Sequence, residues 1–131
     1  MKPLYVLTGK VVHGKGNGRK VGMPTANLAV AEGTPLPAEG VYVTDADIDG
    51  ESWVGVTNIG RRPTVDDELR LTIETYFPDL FADLYDRELT LRVYCYLRPT
   101  RPFSSLEEVK KQVERDADAA RAYFHTKEGT L

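Results

Sequence analysis

Val41-Tyr42-Val43-Thr44-Asp45-Ala46-Asp47-Ile48 runs into Asp49-Gly50, and the chain continues as Ser52-Trp53-Val54-Gly55-Val56-Thr57-Asn58-Ile59. Two β-branched, aromatic-bearing runs joined through Asp-Gly predict a hairpin, because Asp-Gly supplies the positive φ values that a tight two-residue turn demands. The same grammar extends outward in both directions. Leu4 to Val12 predicts an earlier strand that opens into the glycine cluster Gly14, Gly16 and Gly18. Pro24 and Gly33-Thr34-Pro35-Leu36-Pro37 punctuate the stretch between, and Gly60 to Asp67, with Pro63, predicts a loop. Leu69 to Tyr76 alternates, with Ile73 and Glu74 on opposite registers, and Glu88 to Leu97 predicts the last strand.

Helical periodicity begins only after Pro99 and Pro102. Ser104-Ser105-Leu106-Glu107 offers a capping box, and Leu106, Val109, Val113, Ala117, Ala120 and Phe124 recur at helical spacing. Five or six short strands followed by one late helix predict a small, mainly β antiparallel barrel whose edge or mouth the helix covers. With 131 residues and 41% hydrophobic content, the chain supports one core. The expected division is a domain over 1–125 and a loose tail over 126–131.

Composition narrows the function classes. Seventeen Lys and Arg against 20 Asp and Glu give a formal charge of −3, which supplies no overall basic field for a nucleic-acid backbone. A barrel for single-stranded nucleic acid would need a basic groove with exposed aromatics. The single cysteine, Cys95, lies in an alternating strand and reads as a packing thiol. No apolar run is long enough for a membrane span, and Met1-Lys2-Pro3 does not begin a signal peptide, so the expected location is cytoplasmic. His13 and His125 lack a second ligand at metal spacing, and Trp53 in its strand reads as barrel packing. Arg115, Arg121 and Asp66-Asp67-Glu68 read as solvated charge, with Arg121 the one that could turn back to a site.

Three features could carry chemistry. Gly9-Lys10-Val11-Val12-His13-Gly14-Lys15 has most of the P-loop spacing, but Gly16 stands where Ser or Thr must hold magnesium, and the match begins in a strand and precedes no helix. The glycines with Lys15, Arg19 and Lys20 still offer amides and positive charge to a polyphosphate, or else form a plain hairpin loop. Thr25 and Asn27 carry hard oxygen ligands suited to Mg²⁺, or bond to the local backbone of a turn. Glu74, within a strand, is either an exposed surface carboxylate or a base at the barrel mouth that accepts a proton from a substrate hydroxyl.

Taken in order, Gly9 to Gly14, Gly18-Arg19, Gly22-Met23-Pro24-Thr25-Ala26-Asn27-Leu28, Gly40-Val41-Tyr42 and Asn58-Ile59-Gly60-Arg61-Arg62-Pro63-Thr64 resemble riboflavin kinases. The resemblance continues through Ile73-Glu74, Leu84-Tyr85, Leu97-Arg98-Pro99, Phe103-Ser104-Ser105-Leu106 and Asp116, from about Tyr5 to Phe124. It implies a six-stranded antiparallel Greek-key barrel with a C-terminal helix, and ATP-dependent phosphorylation of the riboflavin 5′-hydroxyl to give FMN and ADP. It assigns Thr25 and Asn27 to Mg²⁺ and the nucleotide phosphates, Glu74 to the catalytic base, and Gly14, Lys20, Tyr76 and Tyr85 to ATP. Arg98, Arg101 and Phe103 fall to the flavin. Such kinases occur alone or as the C-terminal module of bifunctional FAD synthetases. The chain departs from the family pattern at Met23, where a larger apolar residue is common, at Tyr76, where many bacterial members have His, and at Asp86, where Gly is usual. The competing expectation is a barrel that binds flavin or nucleotide without turnover.

Overall fold

The computed structural model describes residues 2–12, 25–63 and 69–129, with no side-chain statement for 62, 63, 69, 70 and 127–129. The elements are β1 (Tyr5–Val12), β2 (Ala26–Val30), β3 (Gly40–Ile48), β4 (Glu51–Pro63), β5 (Leu69–Tyr76), β6 (Glu88–Arg98) and α1 (Leu106–Gly129). All strand pairs are antiparallel and close in the order β1-β2-β5-β4-β3-β6. Strands β3, β4 and β5 form a meander, and β6 returns to lie beside β3, which is the Greek-key order. Closure leaves no unpaired sheet edge.

The Asp-Gly turn forms as expected: Asp49 has φ 53° and Gly50 φ 83°, the pair of positive values a type I′ turn requires. Register along the hairpin is unbroken from Gly40↔Ile59 to Ile48↔Glu51. Arg87 clamps the turn by donating to both carboxylate oxygens of Asp49, at 2.7 and 3.3 Å.

Two apolar layers follow from strand alternation. Leu7, Val11, Leu28, Tyr42, Ala46, Ile59, Ile73, Leu91 and Val93 fill the barrel interior, with Trp53 packed against them. On the outer wall Val41, Val43 and Val56 pack under Ala120 and Phe124 of α1. That is why β3 is buried on both faces over Gly40–Ala46. Cys95 joins the outer layer, as expected of a packing thiol. Inside, Thr44, Thr57 and Thr75 satisfy one another through hydroxyl bonds of 2.9 and 2.7 Å. Gly55 makes the space, since a Cβ there would lie 2.8 Å from Thr44 Oγ1 and 2.9 Å from Thr75 Cγ2.

Four expectations change. The stretch after Pro24 contains strand β2 and is not a turn, because Ala26–Val30 finds ladder partners on β1 and β5 that are distant in sequence. Gly60–Pro63, expected as loop, prolongs β4 opposite Leu69–Thr72. The helix, expected over an edge or the mouth, packs among the described residues on the outer wall of β3 and β4, because Val41, Val43 and Val56 present an apolar strip there. It also continues as backbone to Gly129, beyond the point where a tail was expected. Its start is the capping arrangement anticipated, one residue along: Ser105 Oγ accepts from the Glu108 amide and the Glu108 carboxylate accepts from the Ser104 amide.

Candidate functional site

Strand register builds the site. Asn27 on β2 stands directly opposite Glu74 on β5, and Glu74 stands directly opposite Asn58 on β4. Opposed residues in antiparallel pairs share a face, so the three side chains form a row across adjacent strands. Their neighbours Ile73, Thr75, Thr57 and Ile59 point into the barrel, which puts the row on the outer wall. Glu74 therefore faces outward from the barrel. Thr25 immediately precedes β2, and Tyr76 lies opposite Val56 on the same outer face.

The side chains of Thr25, Asn27 and Glu74 make no hydrogen bond or ion pair with another described residue. No described side-chain oxygen or nitrogen is buried without a partner, so the Glu74 carboxylate reaches solvent on a half-buried stem. Tyr76 is half-buried, and burial pushes its phenol up, with Arg121 opposing. Arg121 donates to Asp79 at 2.7 and 3.3 Å and to Asp118 at 3.1 Å, so it straps the segment after β5 to α1. The Arg121 guanidinium in turn holds the Asp79 carboxyl below its usual range.

A second group lies in the connection from β6 to α1. Arg98 donates to Asp116 through Nε at 3.0 and 3.2 Å and through Nη2 at 2.7 Å, and Gln112 donates to the same carboxylate at 3.0 Å. Asp116 is 4% exposed. Arg98, expected against the flavin, thus uses its Nε and Nη2 to pin the end of β6 to the helix. The Arg101 guanidinium lies 4.7 Å from the Phe103 ring centroid and that of Arg98 5.9 Å, so the aromatic is flanked by two cations. Thr100 donates to Asn58 Oδ1 at 2.8 Å, which ties this connection to the row containing Glu74. Asn58 is the residue sequence reasoning quoted without a role; the signal, register with Glu74, exists only once the strands are paired.

Tyr85 sits elsewhere, exposed, in the connection from β5 to β6. That connection is fastened to β1 where the Asp86 amide donates to the Val11 carbonyl at 2.9 Å. It therefore stands at the end of β1 that leads toward residue 13. Gly14 and Lys20, with His13, Lys15, Arg19, Met23 and Asp66-Asp67-Glu68, lie outside the described residues.

As a metal site the wall offers hydroxyl, amide and carboxylate oxygens. Among the described residues no group of three or more His, Cys, Asp or Glu could hold an ion. Such oxygens are the donor types that Mg²⁺ takes where it keeps several waters and is held partly by substrate phosphates.

The family model for riboflavin kinase matches residues 1–124. A bifunctional riboflavin kinase/FMN adenylyltransferase of Pseudomonas fluorescens is 43% identical over 118 residues, covering 90% of this chain and 38% of the relative. The corresponding protein of Escherichia coli K12 is 38% identical over 121 residues, covering 92% and 38%. The chain thus spans 38% of the length of these curated relatives. Among solved structures, riboflavin kinase from Trypanosoma brucei superposes with a TM-score of 0.64 at 25% identity, covering 95% of this chain and 79% of that one. A chain described as a macrolide-efflux protein from Streptococcus pneumoniae superposes with a TM-score of 0.83 at 31% identity, covering 91% and 38%. No helix among the described residues is long and apolar enough to cross a membrane.

Proposed function

Because the chain belongs to the riboflavin kinase family, we propose that it transfers the γ-phosphate of ATP to the ribityl 5′-hydroxyl of riboflavin, giving FMN and ADP. The observation that supports the reading is the register that sets Asn27 directly opposite the accessible carboxylate Glu74, with Thr25 immediately before the same strand as Asn27. Thr25 and Asn27 would hold Mg²⁺, which when bound would neutralise the charge that develops on the phosphate oxygens. Glu74 accepts the hydroxyl proton as the new O–P bond forms and the bond to the ADP oxygen breaks. Arg101 and Phe103 offer a cation and a ring face to the flavin, while Arg98, held by Asp116, keeps their connection against the helix. Gly14, Lys20, Tyr76 and Tyr85 complete the nucleotide side in this reading.

The test is direct. Purified chain incubated with riboflavin, ATP and Mg²⁺ forms FMN, read by chromatography, and chelation of the metal stops it. Folded protein that binds flavin and nucleotide yet forms no FMN with any divalent metal replaces the kinase by a binding module. Within the active protein, Glu74→Gln retains both ligands and loses about 10² to 10⁴-fold in kcat, nearer the lower end because a loose phosphoryl transition state demands little early proton removal. A Gln variant that turns over at the wild-type rate removes Glu74 from the reaction.

A further inference from the structure

Segment 99–103 carries Arg101 and Phe103 and is largely exposed. Arg101 reaches outward to Gln112 of α1 at 3.2 Å, and Arg98 at the end of β6 is bound to Asp116 of α1. Among the described residues, the one side-chain hydrogen bond from this segment to the barrel wall is Thr100 Oγ1 to Asn58 Oδ1. Its acceptor is the residue directly opposite Glu74, which in turn is directly opposite Asn27. The amide lies along the wall over Gly60, where an added Cβ would come 3.5 Å from Nδ2 and 3.1 Å from Thr72 Oγ1.

We propose that Asn58 is a positioning residue for riboflavin, acting through Thr100 to register the 99–103 segment over the strand that carries Glu74. The inference rests on the kinase reading and adds to it a link between the two halves of the site. Phosphoryl transfer requires the acceptor oxygen to arrive in line with the leaving oxygen, so the flavin platform must be fixed relative to the base and not only relative to the helix. Strand β5 pairs with β4 over its whole length, Leu69–Tyr76 against Val56–Pro63, which makes Asn58 a rigid reference for Glu74. An exposed connection pinned solely to α1 would move with the helix and lose that reference.

The experiment is a double-mutant cycle of Thr100→Val and Asn58→Ala, with Thr100→Ser as the conservative variant. Riboflavin affinity is read by quenching of flavin fluorescence, and KM and kcat by FMN formation per folded molecule. Thr100→Val weakens riboflavin binding about three- to tenfold, as expected for one lost hydrogen bond, and lowers kcat while the KM for ATP stays put. Thr100→Ser restores both, and the double variant is no worse than either single one. Flavin binding and kcat at wild-type values in Thr100→Val, or fully additive losses in the double variant, overturn the proposal. Changes confined to melting temperature overturn it as well, since they describe a structural bond only. If the wild-type chain makes no FMN, the kinase reading fails, and the fluorescence cycle still decides whether Asn58 acts through Thr100.

Discussion

Asp86 adopts φ 69°, in the left-handed region where a Cβ crowds the backbone. Its amide bond to Val11 fastens the β5–β6 connection, so the conformation is fixed by the fold. Asp tolerates this region better than most residues, and its 3.3 Å pairing with Lys10 is between exposed groups worth little. Asp86→Gly is therefore expected to be more stable than Asp86→Ala by about 1 kcal/mol, read as roughly 3 to 5 °C in melting temperature. Equal melting points for the two variants would show that the turn relaxes instead. At this scale the sequence was uneven in what it revealed. Thr25, Asn27 and Glu74 stand out as candidates because residue type and motif both mark them, and alternation alone placed Glu74 opposite in facing to Ile73. Asn58 had no such mark, since an asparagine in a strand gains meaning only from the strand beside it.

Among the described residues, the helix is held to the barrel and its connections by one apolar strip and by the ion pairs Arg98–Asp116 and Arg121–Asp79. Arg98 and Asp116 have side chains 19% and 5% exposed, so removing either partner strands a desolvated charge. Asp116→Ala is expected to cost about 3 to 5 kcal/mol in urea unfolding and to weaken riboflavin binding, because the 99–103 connection loses its anchor on α1. Arg98→Met with Asp116→Leu recovers most of the stability and little of the flavin affinity. Recovery of both properties would make the pair purely structural. Among the elements, the Asp-Gly hairpin and β5 were legible because short-range chemistry specifies them. Strand β2 was not, since five residues after a proline carry no decisive pattern and its partners Val11, Val12 and Glu74 lie far off in sequence. Gly60 and Pro63 concealed the end of β4: Gly60 lies in the ladder opposite Thr72, and Pro63 occupies the last strand position, where a missing amide does least harm. The apolar stripe of α1 was visible in sequence, but its docking surface on the outer wall required knowing that β3 is buried on both faces.

For the whole molecule, the titrating groups set a stability plateau with two different edges. Asp47, Asp49, Asp79 and Glu108 are held below their usual carboxyl range, mainly by hydrogen bonds from Arg92, Arg87, Arg121 and Ser104 respectively. Groups lowered in the folded state stabilise above their unfolded values and lose that contribution as pH falls, so the acid edge begins below about pH 4. Because all four are substantially exposed, each contributes little and added salt weakens the edge. The alkaline edge is of another kind. Tyr42, Tyr76, Tyr94 and Tyr123 are all pushed up, in each case chiefly by burial. A raised phenol stabilises fully below its unfolded value, about 10, and the contribution is lost as pH climbs through the folded value. Tyr42 is 5% exposed, donates to the Ala38 carbonyl at 2.6 Å and packs edge-on against Tyr96, so its ionisation gives up that hydrogen bond in a packed setting. Tyr94 sits against the Tyr123 and Phe124 rings and donates to Asp45, so its ionisation places a second negative charge beside that carboxylate. Melting temperature is thus expected to hold level from about pH 5 to about pH 9.5 and then fall, with part of the tyrosinate absorbance appearing only together with unfolding. Tyr42→Phe lowers the plateau by about 1 kcal/mol through the lost hydrogen bond and makes the alkaline fall shallower. An alkaline slope unchanged in Tyr42→Phe would assign the edge to the tyrosines under the helix, and tyrosinate absorbance rising fully before unfolding would remove buried phenols from it altogether.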